Sequence, residues 1–488
     1  MSVRIIKPKI VFPRNAALQE FEDVLNQSII SVRTNNSINN LVGGGEIHLV
    51  PNPSELRLSE RAVKDFLHKF YQTIDTMDKL RVTIEDVDGD TNKDWLCTGF
   101  VDNVFRTEQR MNQQTSRGVM IRFSNLVGKA ITKDEITFLP EYMVNDIEIQ
   151  NFFGKSRIHF FAGGAGIGLT KDGQNVFIGH TITDAIKYII ESVVSKFGEN
   201  ILTIRSDSYS NAADEVNKIN LSQFTGGVAE LLMSVVDRQF YEVFTDTVGT
   251  EACLVFRPKP FESKSWNDLR THELEWDEVI SDSTGFSDYE VKNLFRCYSE
   301  YDIFGSNNDS FHMIANMFPL LDLNSIKKYG LRQLDGKSTT ISFRDELNKL
   351  PKSGAAPTTG QAGKAEQTPT VDNCEDSRSA IVRKRNKLFR WYAYPYYESG
   401  NMTFRGRQSV RAGERIYCGH KISREGSNYG MVYYVTDVSQ SYSVFQPFTT
   451  QVSLTRGQEQ TGREVYEYLT EKTMLRGAST GNVMEEEE

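Results

Sequence analysis

The sequence is poor in the groups that most often carry chemistry. Its 488 residues include only 5 cysteines and 7 histidines. Cys97, Cys253, Cys297, Cys374 and Cys418 are scattered, odd in number and never spaced as CxxC, which argues against both a disulfide framework and a zinc site. The thiols are expected to be reduced. The histidines never form an HxH or HxxxH pair, so spacing gives neither a metal site nor a relay. A run of about 18 apolar residues is also missing, and the opening MSVRIIKPKIVFPRN puts charge and proline where a signal peptide needs an apolar centre. No membrane-spanning segment and no secretion signal are expected. Positive charge is not in excess either: 56 Lys and Arg face 65 Asp and Glu, for a net charge of -9. Tight nucleic-acid binding, which depends on neutralising phosphates, is therefore disfavoured.

Four strings imitate functional motifs and fall short. The cluster FAGGAGIGLTKDG, residues 161–173, has no Lys-Ser/Thr pair after its glycines, so it reads as a turn. In GLRQLDGKST the interval between Gly330 and Gly336 is one residue too long for a phosphate loop. The run Asp86, Asp88, Gly89, Asp90 starts like a calcium loop but has glycine at the fourth position, with Cys97 where the bidentate glutamate belongs. Finally, Arg383, Lys384, Arg385 and Lys387 precede Phe389, Trp391, Tyr392, Tyr394, Tyr396 and Tyr397. This could be a platform for single strands, although an interface or a buried strand suits an acidic chain better. With so many carboxylates, a glycosidase pair can be nominated anywhere and means little. No catalytic, cofactor-binding or metal residues are assigned, and no cofactor is implied.

What the chain does contain is material for several cores: 39% hydrophobic and 11% aromatic residues over a length that suits three or four units. Residues 1–27 read as a basic extension with Arg4, Lys7, Lys9 and Arg14, then a short helical pattern at Leu18, Phe21, Val24 and Leu25. Residues 28–150 alternate apolar and polar at Ile47 and Leu49, at Leu80, Val82 and Ile84, and at Val119, Ile121 and Phe123, which predicts strands with one buried face. Val63, Phe66, Leu67, Phe70, Ile74 and Met77 recur at helical spacing between them. Residues 151–239, with about 262–350, read as a middle α+β unit. It includes a strand at IHFFAG and a helix through Ile182, Ile186, Ile189, Ile190, Val193 and Phe197. The stretch 351–372 is a Pro, Gly, Ala, Thr and Gln linker. Residues 240–261 and 373–457 form a second β-rich unit, and 458–488 hold a short helix and an acidic tail expected to be disordered. The expected fold is mainly β with α+β insertions.

Several non-catalytic strings, in a fixed order, resemble the baseplate hub family of contractile phage tails and related injection machines. They are LRVTIEDVDGDTNKDWLCTGFVDNV, with Gly99 to Asp102; FYEVFTDTVGTEACLVFRPKPF, with Glu242 and Arg257; SDYEVKNLF; DLNSIKKYGLR, with Tyr329 and Arg332; SGNMTFRGRQSVRAGERIY, with Arg411; and FTTQVSLTRG. The resemblance spans about residues 40–457. It implies two tube-protein-like β-barrels plus a middle α+β domain, and a homotrimer forming a pseudo-sixfold ring. That ring would join the tail tube, or a tube-initiator protein, to the central spike, with wedge or other baseplate proteins around it. It further implies a non-enzymatic virion protein, assembled in the host cytoplasm, whose channel passes DNA or effectors without binding them. Asp102, Glu242, Arg257, Tyr329, Arg332 and Arg411 mark the family and are candidate interface residues. The alternatives from other classes are a tail-tip peptidoglycan hydrolase and a receptor- or carbohydrate-binding tail protein.

Overall fold

The computed structural model describes residues 6–86, 96–111, 114–125, 135–138, 224–227, 238–248, 251–261, 263–299, 320–338, 377–422, 428–444 and 446–460, with isolated positions between 168 and 236 and between 465 and 469. The fold is mainly β. In the N-terminal part, β1 (Ile6–Val11), β2 (Ile29–Ser37), β3 (Asn40–Leu49), β4 (Lys79–Asp86), β5 (Cys97–Met111) and β6 (Gln114–Asn125) form an antiparallel sheet in the order β1-β4-β5-β6-β3-β2. The alternation read from sequence sets one face inward: Ile47, Leu49, Leu80, Val82, Ile84, Val119, Ile121 and Phe123 are all buried in one cluster. Helix α1 (Glu22–Gln27) and helix α2 (Glu60–Thr73) flank this sheet. Helix α2 starts at Ser59, whose Oγ accepts from the Ala62 amide at 3.2 Å, and its apolar stripe buries Val63, Leu67 and Phe70. The rings of Phe12, Phe21, Phe66 and Phe70 pack edge to face or stacked between helix and sheet.

Strand β1 is an outer edge, and its free side is closed by side chains. The Ile10 amide donates to Asn26 Oδ1 at 2.7 Å and the Phe12 amide to Glu22 Oε1 at 2.8 Å, both acceptors lying on α1. Pro8, two residues earlier on the same side of the strand, has no amide hydrogen to offer. An edge blunted in this way cannot template a further strand.

The remaining large elements are the hairpin β7 (Tyr241–Val248) and β8 (Glu251–Pro258), then β9 (Thr271–Leu274), β10 (Val279–Gly285), β11 (Leu294–Ser299), α3 (Leu323–Tyr329), β12 (Gln333–Ser338), α4 (Ser377–Tyr392), β13 (Glu398–Arg405), β14 (Arg415–Ile422), β15 (Asn428–Ser443) and β16 (Gln446–Glu459). Six of these pair in the order β9-β14-β15-β16-β13-β10. The 16-residue β15 is the branch point. Its first half pairs with β14, from Ile422↔Asn428 to Arg415↔Tyr434, and its second half pairs with β2, from Ser37↔Asp437 to Ser31↔Ser443. One continuous sheet of 12 strands therefore unites sequence that starts at residue 6 with sequence that ends at residue 459.

Between the halves, β11 pairs in parallel with β12, and α4 packs on β11 and β12. The basic and aromatic run starting at Arg383, read above as a platform, interface or buried strand, is instead the helix α4 and the turn after it. Lys384 and Arg385 are buried, as are Leu388, Phe389, Trp391 and Tyr394, so these rings hold the core and present no stacking face. The string GLRQLDGKST is a helix end, a turn and then β12, with Gly330 at φ +80° closing α3. That is the reverse of the strand, loop and helix order that a phosphate loop needs. The turn at 87–90, the IHFFAG strand, the helix pattern at 182–197, the linker 351–372 and the acidic tail lie outside the described residues, as does nearly all of 161–173.

Candidate functional site

The hairpin β7 and β8 is not part of the large sheet; it pairs with itself and with Thr203–Ile204. It lies across the junction of the two six-strand units, and its two faces serve different units. On one face Thr245 Oγ1 donates to the Leu41 carbonyl at 3.0 Å and accepts from Asn125 Nδ2, and Thr247 Oγ1 accepts from the Thr98 amide at 3.4 Å. All of these partners belong to the N-terminal sheet. On the other face sit Glu242, Phe244 and Asp246, with Cys253, Val255 and Arg257 opposite them in register. Asp246 Oδ1 lies 3.4 Å from Arg411 Nε, an ion pair with side chains 4% and 11% exposed.

Glu242 and Arg257 are direct cross-strand neighbours, so their meeting follows from the register. Arg257 Nε donates to Glu242 Oε2 at 3.1 Å, and the Glu242 side chain is 2% exposed. The Tyr434 hydroxyl from β15 sits 2.6 Å from both Glu242 oxygens and accepts from Arg257 Nη2 at 3.1 Å. Arg257 Nη2 also donates to the Gly413 carbonyl. Gly413 has φ +80°, and a Cβ there would lie 2.5 Å from the guanidinium. Glycine is thus required both by the backbone and by the arginine. Burial acts to lower the Arg257 pKa, but the Tyr434 and Glu242 partners outweigh it and raise it above its ordinary value, so the guanidinium stays charged. Burial, and then the Glu242 charge, push the Tyr434 phenol well above its ordinary value and keep it a donor.

A cavity with room for about two waters lies where the hairpin meets both units, lined by Thr34, Asn125, Thr245, Asp246, Arg411 and Gln440. Cys97 also borders it, with a thiol that burial pushes up to about 12 and so leaves unreactive at neutral pH. Among the described residues, no three His, Cys, Asp or Glu side chains come together as a metal site.

The other family-marking residues sit elsewhere. Arg332 binds the Asp288 carbonyl at 2.7 Å, Asp288 Oδ2 at 3.1 Å and the Tyr329 carbonyl at 3.2 Å, tying the turn after α3 to the short helix at Asp288–Glu290. Asp102 accepts from Ser124 Oγ at 2.5 Å between β5 and β6. Of the six marked residues, Glu242, Arg257 and Arg411 gather at the hairpin, Tyr329 and Arg332 form a second group, and Asp102 stands apart. Tyr434 and Asp246 were not singled out by sequence reasoning, and Gly413 entered only as part of the string that carries Arg411. The glutamate on β7 and the arginine on β8 fall opposite each other once a hairpin is read, but nothing local to the MVYYV string points Tyr434 at them.

One further contact brings the ends of the C-terminal strand order together. Arg407 donates to the Glu273 carbonyl on β9 at 2.7 Å and to the Glu278 carboxylate just before β10. Burial acts to raise the half-buried Glu278 carboxyl, but the hydrogen bond and charge of Arg407 prevail and hold it below the ordinary carboxylate value. A depressed folded-state pKa stabilises above the unfolded value and is lost as pH falls through the folded one. Acid unfolding of the chain is therefore expected to steepen below about pH 4.5, and Glu278→Gln should flatten that limb. Its cost at pH 7 should stay below about 1 kcal/mol because the pair is partly solvated. Urea melts at pH 3, 5 and 7 check this; parallel losses in both proteins would remove Glu278 as the cause.

No family model and no curated protein matches the chain. Among solved structures, a tail protein of Neisseria meningitidis is similar with a TM-score of 0.47 and 9% identity, covering 94% of this chain and 97% of that one. A prophage tail protein of Shewanella oneidensis follows with TM-score 0.43, 10% identity and coverage of 93% and 98%. A prophage tail protein of Listeria monocytogenes gives TM-score 0.42, 10% identity and coverage of 96% and 99%.

Proposed function

We propose that this chain is the central hub of a contractile tail or related injection machine, a structural adaptor between a sixfold tube and a threefold spike. The observation that carries this reading is the division of one 12-strand sheet into two units of six strands each, joined at β15 and locked by the β7 and β8 hairpin. Three copies of such a chain supply six similar units, the number needed to match a sixfold ring with a threefold body.

Each unit has the connectivity of a tube-like barrel. In the C-terminal unit β9 and β10 stand at opposite ends of the strand order, yet only four residues separate them. A flat sheet of six strands would put its ends about 24 Å apart, while the connection reaches at most about 18 Å, so the sheet must curl. The N-terminal unit repeats the arrangement with α1: it bonds the free side of β1 and runs directly into β2 at the far end of the order. The ordered strings that resemble those of baseplate hubs fall, where their residues are described, on these strands, on the hairpin, on the short helix at Asp288–Glu290 with β11, and on the α3 turn. The function is geometric: a ring with a channel, without catalysis, and with a net charge of -9 that suits passage of DNA without adhesion. Wedge, tube and spike proteins are its partners, and the virion baseplate is its place.

Light scattering and class averages of the purified chain test this reading. A threefold ring with a central hole is expected. A chain that stays single at high concentration and with its spike partner present would overturn it, and cleared zones in a cell-wall zymogram would move the reading to a hydrolase.

A further inference from the structure

The two six-strand units share one topology. With strands numbered in chain order inside each unit, both run 1-4-5-6-3-2 across the sheet, as β1-β4-β5-β6-β3-β2 and as β9-β14-β15-β16-β13-β10. Neighbours are antiparallel throughout both, except that β9 runs parallel to β14. The registers correspond as well. The row Val32, Ile47, Ile121, Val104 across β2, β3, β6 and β5 answers to the row Asp282, Met402, Val452, Val438 across β10, β13, β16 and β15. The middle pair of each row, Ile47 with Ile121 and Met402 with Val452, is buried in the core of its own unit.

Equivalent strands have equivalent edges, and one pair of them is already joined. β16 lines one side of β15 along its length, while the other side holds β14 on its first half and β2 on residues 437–443. β5 is built the same way: β6 lines one side, and β4 holds only Cys97 to Phe100 of the other. Past Val101 that side of β5 has no strand beside it among the described residues, and β10, the counterpart of β2, has a strand only on its β13 side. Unlike β1, these two edges carry no proline, and residues 102–111 and 279–285 carry no lysine either. Each exposes a large apolar side chain, Phe105 at 39% and Ile280 at 55%. The outer half of β5 with β6 is a two-stranded ribbon, an arrangement that is marginal without a third strand.

We infer that β10 pairs antiparallel with the outer half of β5 from a second copy of the chain, repeating between chains the joint that β2 and β15 make within one. The occupant is a second copy because the chain itself shows this joint, and its own β5 and β10 have six strands between them. The amides point the right way. The Ile38 amide bonds the Thr436 carbonyl and the Val444 amide the Ile30 carbonyl, and this alternation, carried across β3 and β6, turns the even-numbered amides of 104–110 away from β6. The Gly406 amide bonds the Phe448 carbonyl, and the same step across β13 turns the Asp282 and Thr284 amides outward. In the single chain the Thr284 amide takes its own strand's Asp282 Oδ1 at 2.9 Å, in place of the carbonyl that a second copy would bring. Val32↔Tyr442 and Thr34↔Gln440 set the register. They translate to Asp282 opposite Glu108, whose charge Arg117 meets at 3.4 Å, and to Thr284 opposite Arg106. Two unlike edges joined in this way form a heterologous contact, and three copies close a ring in which every junction is alike. The inference rests on the ring reading above and names the strands that close it.

Hydrogen exchange of the full chain, resolved to single amides, tests the joint without any substitution, alongside its mass by light scattering. In the oligomer the Arg106, Arg110, Asp282 and Thr284 amides are expected to exchange as slowly as those of Val438 and Gln440, and about tenfold or more slower than amides on an open strand edge. Arg106→Pro removes an outward amide that β6 does not use, and it is expected to lower the oligomer to the chain mass. Arg106→Ala, which removes the side chain and keeps the amide, is expected to leave the oligomer intact. If Arg106→Pro fails to fold by circular dichroism, the wild-type exchange decides. An oligomer in which these amides exchange as an open edge, or which survives a folded Arg106→Pro, overturns this joint while leaving the ring in place. A wild-type chain that is monomeric throughout overturns the joint and the ring together.

Discussion

Replacing Glu242 with alanine is expected to lower the stability of the folded chain by about 3 to 5 kcal/mol, the range for removing one partner of a buried ion pair. The cost arises less from the lost attraction than from what is left behind. Arg257 would remain charged, because a guanidinium does not deprotonate in a protein, and its remaining donors would reach only the Tyr434 hydroxyl and the Gly413 carbonyl, both neutral acceptors that leave the charge uncompensated. Tyr434→Phe removes the hydrogen bond given to Glu242 and the one accepted from Arg257 but keeps the ion pair, so it should cost less, about 1 to 3 kcal/mol. Replacing Glu242 and Arg257 together with leucine and methionine should recover much of the loss, because no unpaired charge then stays buried. Urea unfolding followed by tryptophan fluorescence and far-UV circular dichroism measures all three. Since the hairpin touches the N-terminal unit through Thr245 and Thr247 and the C-terminal unit through Glu242 and Asp246, Glu242→Ala should also split a single transition into two. If Glu242→Ala loses less than Tyr434→Phe, the pair is not what fastens the hairpin.

Much of the sheet was legible because one face is buried and the other is not. Ile47 and Leu49, Leu80 to Ile84, and Val119 to Phe123 all fall on strands, and the helix read through Val63 and Phe70 forms as α2, ending at Thr73 and not at Met77. It stops there because Ile74 leaves the helical region at ψ 131° and Met77 takes φ +81° in the turn toward β4. The segment 240–261 was legible as β-rich, and its two strands form the hairpin β7 and β8. Helix α4 was not, because Lys384 and Arg385 are buried in it. A positive charge on a buried helix face breaks the apolar stripe that the 3.6-residue period relies on, and the dense run of tyrosines after it resembles a strand. At the candidate site, Glu242 and Arg257 were marked by resemblance, and their pairing is a local consequence of register. Tyr434, nearly two hundred positions away, joins them only through the tertiary crossing of β15 under the hairpin, which no short-range pattern encodes.

The second large effect concerns Trp391, at the end of α4. Its ring meets Phe261 edge to face at 5.3 Å and Tyr434 at 5.8 Å, and the Arg456 guanidinium lies over it at 3.8 Å. Four elements thus converge on one side chain: α4, β15, β16 and the chain leaving β8. Arg456 is held in the left-handed region at φ 55°, a conformation that costs a non-glycine residue about 1 kcal/mol or more. Its guanidinium is enclosed by Trp391, by Trp266 at 4.8 Å and by Tyr397, whose hydroxyl accepts from Nη2 at 2.9 Å. The cage offsets the strain. Trp391→Ala is therefore expected to cost about 3 to 5 kcal/mol from the lost ring alone, with up to about 2 kcal/mol more from the uncovered cation. Trp391→Phe should retain over half of this. Arg456→Gly should cost far less than Trp391→Ala, because removing the cation also releases the backbone strain. The thermal midpoints of the three variants rank these terms. An Arg456→Gly loss equal to that of Trp391→Ala would mean that the cation, and not the ring, is the member that holds β16 against α4.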